Sequence, residues 1–280
     1  MNQIDKISNI IQKNFISKIS FFSKYLITTK VLETKHFARI DASIPSNTFN
    51  IAVIKKQNTE NIKSILAQTA DYFNNKLFPA ALWFWEMPNY EIEEEMKNRK
   101  FVITEQELGM YLPIDKINTD DIQIENFLIK EVSSRIEMND FSEILSSIFG
   151  NSKESFYVKE YYKLITQNDL YKNSSIKYYI GYYNGNAVST GCLYFTEESI
   201  GIYDISTSLH FRKQGFGTAM FNYLLSKIKN DINSQNFSMI MSALVESKIS
   251  KTHTLSTPKQ ILFDFMNVYF LKLKEIRGYA

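Results

Sequence analysis

The sequence predicts an α/β protein of two consecutive units, each a mixed, mostly antiparallel sheet flanked by helices. Three observations carry this prediction. Asn184-Gly185-Asn186 sits between two β-rich runs, Lys177 to Tyr183 and Ala187 to Phe195, and Asn-Gly in that setting signals a hairpin. Helical and extended periods alternate along most of the chain. One strand–helix–strand pattern also occurs twice, 49–54, 60–74 and 80–85 matching 200–206, 218–232 and 238–244 in order and in length.

In chain order, Ile4, Ile7, Ile11, Phe15, Phe22 and Leu26 fall near helical spacing with lysines between them. The pattern fits a helix on a membrane surface or one packed on its own domain, and the second reading is preferred, because Asn, Gln and Ser dilute the lysine face. Phe49 to Ile54 reads as a strand. The run Glu60 to Asn74 then places Ile62, Ile65, Leu66, Thr69, Tyr72 and Phe73 on one helical face, with Pro79 beyond it. Ala80 to Trp85 reads as a buried strand whose Trp83, Phe84 and Trp85 serve core and domain interface. Tyr90 to Asn98 reads as an acidic helix, and Lys100 to Ile114 as two extended pieces around Gln106.

The polar stretch Asp115 to Gln123 is the best linker and divides the chain into units 1–117 and 121–280. The second unit starts with a strand at Asn126 to Val132 and two helices, Asp140 to Phe149 and Lys153 to Ile165. After the hairpin come a strand from Ser199 to Ser206, a helix from Thr218 to Ile232 and a strand from Ser238 to Leu244. A helix is expected over Lys259 to Tyr269.

Composition excludes several functions. A formal charge of +2 and the lack of a basic stripe interleaved with aromatics give no reason to expect nucleic acid. Three scattered histidines, His36, His210 and His253, offer no metal-ligand spacing. The single Cys192 cannot form an internal disulfide, fits a reducing compartment, and reads as a buried, inert thiol. The longest apolar run, Ala80 to Trp85, is far short of the ~20 residues that span a bilayer, and Lys6, Lys13 and Lys18 interrupt any secretory core. The expected location is cytoplasmic.

The segment with chemical content runs from Tyr203 to Met220. Gly215 and Gly217, at a strand-to-helix junction, permit a tight turn with inward N–H groups, and the helix N-terminus adds unpaired N–H groups and a positive dipole end. Arg212 and Lys213 add full charges. The combination suits a diphosphate.

The spacing Arg212-x-x-Gly215-x-Gly217, after Ile205-Ser206-Thr207 and before an apolar helix, resembles the signature of the GNAT superfamily of N-acetyltransferases. The order of elements over 121–247 is similar as well. The resemblance implies acetyl-CoA as acyl donor and a small-molecule or peptide amine as acceptor, attacked directly without a covalent enzyme intermediate. It implies that the backbone of Ile205 and Thr207 pairs with the pantetheine arm. The N–H groups of Gln214, Gly215, Phe216, Gly217 and Thr218 would hold the pyrophosphate, with Arg212 and Lys213 beside them. A backbone N–H at Ile205 or nearby would face the oxyanion. Candidate bases are Asp204, Glu197 and Glu198.

Past Ser247 the chain departs from the family pattern, and Tyr269 is the candidate for a displaced acid that protonates the leaving thiolate. The first unit resembles a degenerate copy, since Lys55 to Glu60 stands at the glycine loop's position with neither Gly nor Arg. Two rival readings go with this: a weak or inactive CoA-binding or protein-interaction module, and an enzyme for a longer acyl-CoA.

Overall fold

The computed structural model describes residues 3–56, 61–85, 88–99, 101–119, 122–230, 239–243 and 264–275. The chain opens with α1 (Gln3–Ser20), a 3-10 turn (Phe21–Lys24) and the antiparallel pair β1 (Lys30–Glu33) and β2 (Phe37–Asp41). Next come β3 (Ile51–Ile54), α2 (Ile62–Asn75), β4 (Ala81–Phe84), α3 (Tyr90–Asn98) and β5 (Phe101–Leu112). The second half runs β6 (Phe127–Glu131), α4 (Arg135–Ser147), α5 (Lys153–Gln167), β7 (Ile176–Tyr183), β8 (Asn186–Phe195), β9 (Ser199–Thr207), α6 (Phe216–Asn230), β10 (Met239–Ala243) and β11 (Asp264–Glu275).

The eleven strands of the described residues form one sheet, in the order β1-β2-β3-β4-β11-β5-β10-β9-β8-β7-β6. Two neighbouring pairs are parallel, β3 with β4 and β9 with β10, and the other pairs are antiparallel. Each parallel pair is joined through a crossover helix, α2 or α6, so the repeat read in the sequence is a real repeat of structure.

Helices cover both faces. In the first half, Ile7, Ile10, Ile11 and Ile16 of α1 pack with Ile40, Val53, Trp83 and Trp85 on one face. Leu66, Phe73, Ile92 and Met96 of α2 and α3 meet Ile54, Leu82 and Phe84 on the other. Thus α1 is a core helix, and Trp83 and Trp85 are core residues. In the second half, α4, α5 and Phe21 and Phe22 of the 3-10 turn cover one face. Helix α6 covers the other with Leu112 and Ile117.

Three elements differ from expectation. The expected helix over Lys259 to Tyr269 is not what forms: β11 is extended from Asp264 onward, and 259–263 lie outside the described residues. The cause is tertiary. The facing edges of β4 and β5 both need backbone partners, and Val268-Tyr269-Phe270-Leu271-Lys272-Leu273 has the β-branched and aromatic composition that suits a strand there. Residues 101–112 form one continuous strand rather than two pieces, and the irregularities of the β5–β11 ladder are register shifts at Asp264/Val268 and Lys272/Leu273. Helix α4 starts at Arg135, before the expected Asp140, because Ser134 and Glu137 form a reciprocal capping box.

Candidate functional site

Strand β9 builds the site by pairing further on one side than on the other. Among the described residues it pairs with β10 from Ser199↔Met239 to Ile202↔Ser242. Its pairing with β8 continues to Thr207↔Ser189. Between Cys192↔Tyr203 and Thr190↔Ser206 the register shifts by one, so Asp204 and Ile205 together oppose Gly191 in a β-bulge. Asp204 takes the left-handed conformation, φ +55°, and its carbonyl accepts a hydrogen bond from Thr190 Oγ1 at 2.8 Å. A bulge bends its strand, and this one falls where the described pairs of β9 with β10 end. Among the described residues no strand pairs with the β10-side edge of Tyr203–Thr207, so those N–H and C=O groups line a wedge.

The wedge leads into the glycine loop. A 3-10 turn, Leu209–Phe211, follows Ser208, and Lys213 and Gly215 then take positive φ, +62° and +89°. The Arg212 guanidinium donates through Nε to the Thr207 carbonyl at 3.1 Å, and Gln214 Nε2 donates to the His210 carbonyl at 3.0 Å. Helix α6 starts at Phe216, and the Ala219 N–H bonds the Gly215 carbonyl at 2.9 Å. The N–H groups of Phe216, Gly217 and Thr218 therefore precede any intrahelical acceptor and form the positive end of the helix. Residues Arg212, Lys213, Gln214 and Gly215 are exposed above them.

The two glycines serve different ends. At Gly215 a Cβ would have room, 3.6 Å from Ile124 Cδ1, but the backbone angle disfavours an L side chain. At Gly217 a Cβ would come within 3.0 Å of Thr207 Oγ1, so glycine lets the helix start against the end of β9. Below the loop, buried Phe216 meets Phe127 at 4.9 Å, Tyr183 at 5.0 Å and Phe211 at 6.0 Å between ring centroids. This cluster ties the loop to β6 and β7.

The other candidates are spread out. The Asp204 carboxylate lies on the α4–α5 face, with Lys18 Nζ 3.2 Å from both of its oxygens and Tyr162 Oη donating at 3.2 Å. Glu197 and Glu198 are exposed in the turn before β9, at the far end from the bulge, roughly 20 Å away by strand rise. Glu198 pairs there with Lys13 at 3.2 Å. Tyr269 is level with Leu108 of β5, and β5 and β10 separate β11 from β9, so its backbone is about 14 Å from β9 by inter-strand spacing. Cys192 is fully buried, and burial, with the Asp204 charge behind it, pushes its thiol well above the ordinary range. Burial first, then the Asp204 charge, likewise keeps the Tyr162 phenol protonated. Lys18 and Tyr162 were not singled out from the sequence. Their partner lies roughly 190 and 40 residues away along the chain, and no local pattern marks such a pair.

Among its described residues the first half has no such wedge. Strand β3 pairs with β4 along its whole length, Ile51↔Ala81 to Ile54↔Phe84, without a bulge. Beyond it, 57–60 lie outside the described residues. No group of His, Cys, Asp and Glu among the described residues could hold a metal ion, and no described helix is long and apolar enough to cross a membrane.

Residues 138–241 match the model of the acetyltransferase (GNAT) family. No curated protein matches the chain. Among solved structures, a GCN5-related N-acetyltransferase from Kribbella flavida is similar at TM-score 0.62 and 9% identity, over 94% of this chain and 96% of that one. A conserved protein of unknown function from Staphylococcus epidermidis is similar at TM-score 0.62 and 17% identity, over 91% and 97%. A tandem GNAT protein from the clavulanic acid biosynthesis pathway is similar at TM-score 0.52 and 7% identity, over 87% and 81%. At these identities the solved structures speak for the fold alone, and the matched segment covers the wedge and the glycine loop. Residues 138–241 thus carry the match to the acetyltransferase (GNAT) family, and the fold of the whole chain is similar to that of GNAT proteins, a tandem one among them.

Proposed function

We propose that this protein is an acetyl-CoA-dependent N-acetyltransferase acting on an amine. The observation that carries the reading is that, among the described residues, β9 has no partner on its β10 side beyond Ile202 and runs directly into the Arg212–Thr218 loop. The parts suit the donor. An unpaired strand edge can bond the amides of a pantetheine arm, and a helix N-terminus flanked by Arg212 and Lys213 suits a diphosphate. Gly215 keeps the approach to those N–H groups free of a side chain. We assign the arm to the backbone of Ile205 and Thr207, and the pyrophosphate to the N–H groups of Gln214 to Thr218.

When bound, acetyl-CoA supplies an activated acyl group. The amine forms the new N–C bond as the C–S bond breaks, and the amine's proton goes to solvent or to a nearby base. A lysine-like amine, pKa ~10.4, must first lose its proton. Asp204 is the nearest carboxylate to the bulge, and we assign it either that task or the fixing of the bulge. We place the cofactor-free unit at 1–117 and the transferase unit at 121–280, with the protein in the cytoplasm.

A second reading, a weakly active CoA-binding module, has one observation in its favour: Asp204 is held in an ion pair and Tyr269 sits three strands away from β9. Calorimetry with acetyl-CoA, followed by release of free CoA thiol across a panel of amines, separates the two. Binding with amine-dependent thiol release supports the enzyme, and binding without it supports the module. No binding removes both. Buried Cys192 keeps the protein's own thiol out of the assay.

A further inference from the structure

Helix α1 belongs to the first half, yet one of its stripes grips β8 and β9 of the second. Asn14 Nδ2 donates to the Ser199 carbonyl at 3.3 Å and to Ser199 Oγ at 2.9 Å, and Tyr203 Oη donates to Asn14 Oδ1 at 2.7 Å. Ser17 Oγ lies 2.8 Å from Tyr194 Oη. Lys18, one turn beyond Asn14, places its ammonium 3.2 Å from both oxygens of Asp204 and 5.0 Å from the centroid of the Tyr203 ring. Positions 14, 17 and 18 share a helix face. A Cβ at Gly201 would stand 2.4 Å from Asn14 Oδ1, so glycine at that point of β9 admits the helix.

The grip ends at the residue that forms the bulge. Asp204 holds a left-handed backbone, which Asp tolerates better than most residues but which still needs local support. Its carbonyl is held by Thr190, and its side chain, only 17% exposed, by Tyr162 and Lys18. A partly buried carboxylate that loses its counter-ion tends toward water, and this one would carry the bulge with it.

We infer that Lys18 is a positioning residue of the second half's site: by holding Asp204 it fixes the bulge at the point where the described pairs of β9 with β10 end, so the first half sets the shape of the wedge. The reading of that wedge as an acyl-CoA site is taken from the preceding section. The first half thereby has a task for which it needs no cofactor of its own.

The test uses the full chain as wild type, Lys18→Met, Lys18→Arg and Lys18→Met/Asp204→Asn, with thermal unfolding recorded for each. Amide hydrogen exchange at Ser206 and Ser208, whose N–H groups face β8, should without ligand be faster by about tenfold in Lys18→Met and near wild type in the other two. Arg keeps the charge. In the double variant, a neutral Asn accepts the left-handed backbone without needing a cation. Calorimetric affinity for acetyl-CoA should fall by about tenfold in Lys18→Met and by less than about threefold in the other two. A lysine that merely stabilised the fold would lower the unfolding midpoint and leave both ratios unchanged. If Lys18→Met does not fold, Lys18→Gln is read in the same way. Unchanged exchange and affinity in a folded variant would overturn the inference. If wild type binds no acetyl-CoA while exchange responds as expected, the acyl-CoA reading falls and the positioning role of Lys18 stands.

Discussion

Replacing Gly215 with Glu separates what the loop needs for folding from what it needs for binding. At φ +89° an L side chain costs about 1–2 kcal/mol of backbone strain. The added Cβ meets nothing closer than Ile124 Cδ1 at 3.6 Å, so no packing term is added. In the ligand-free protein the new carboxylate sits at a helix N-terminus, which returns about 0.3–1 kcal/mol. The net loss of stability is then about 1 kcal/mol, or roughly 2–4 °C in the unfolding midpoint for a chain of this size. Binding responds quite differently. A carboxylate about 5 Å from a bound phosphate charge repels it by about 1–3 kcal/mol at effective dielectric constants between water and protein surface. With two such charges the acetyl-CoA affinity should fall by at least about thirtyfold. Gly215→Ala carries the strain without the charge and should lose far less. The charge component should also shrink at 1 M salt, where the screening length is about 3 Å. Isothermal calorimetry beside a thermal melt reads both quantities. A folded Gly215→Glu protein that binds acetyl-CoA within twofold of wild type, in low salt, removes the pyrophosphate from this loop.

Four further outcomes are expected. Gly217→Ala should destabilise by about 1 kcal/mol through contact with Thr207 Oγ1, and should become neutral or stabilising in a Thr207→Ala background, measured by urea unfolding. Phe216→Ala, which empties a site among Phe127, Tyr183 and Phe211, should cost about 3–5 kcal/mol and lower the unfolding midpoint sharply. The Glu137 carboxyl is pushed up by burial, but bonds from Lys130 and Ser133 outweigh this and hold it at about 2, below its ordinary 4.5. A depressed carboxyl stabilises the fold above its unfolded pKa and loses that contribution as pH falls toward the folded value. Glu137→Gln should therefore weaken the fold at pH 7, and the difference from wild type should fade between pH 4.5 and 2. Tyr269→Phe should change the acetylation rate by less than about twofold, because three strand spacings separate β11 from β9; a collapse in rate at constant cofactor affinity would return the acid to Tyr269.

Elements whose signals are local were legible in the sequence. Tyr90–Asn98 forms the expected helix, and Asn184-Gly185 turns the expected hairpin, Asn184 and Gly185 both with positive φ. The Arg212–Gly217 spacing marked the loop because its chemistry lies within six consecutive residues. The bulge at Asp204 was not legible. It arises from a one-residue mismatch between β8 and β9, and neither strand alone carries it. Lys18 was hidden for the same reason, its partner being far along the chain. The hairpin of β1 and β2 was missed because Lys30–Glu33 is exposed throughout and offers no apolar alternation. Strand β11 reads as a helix or as a strand by period, and the vacant slot between β4 and β5 decides.

That slot bears on how the protein is made. Strands β4 and β5 are not bonded to each other; each is bonded to β11, whose residues lie roughly 160 positions beyond their β5 partners. During synthesis β4 and β5 emerge early, and the strand that must lie between them comes only after all of β6 to β10 has been made. Until then β4 has one unpaired edge and β5 two, edges of the kind that recruit wrong partners, and the late, long-range pairing makes closure slow. The polar stretch 115–123 divides the sequence, but it does not divide the folding: a fragment cut there would keep β4 and β5 and lack the strand that joins them.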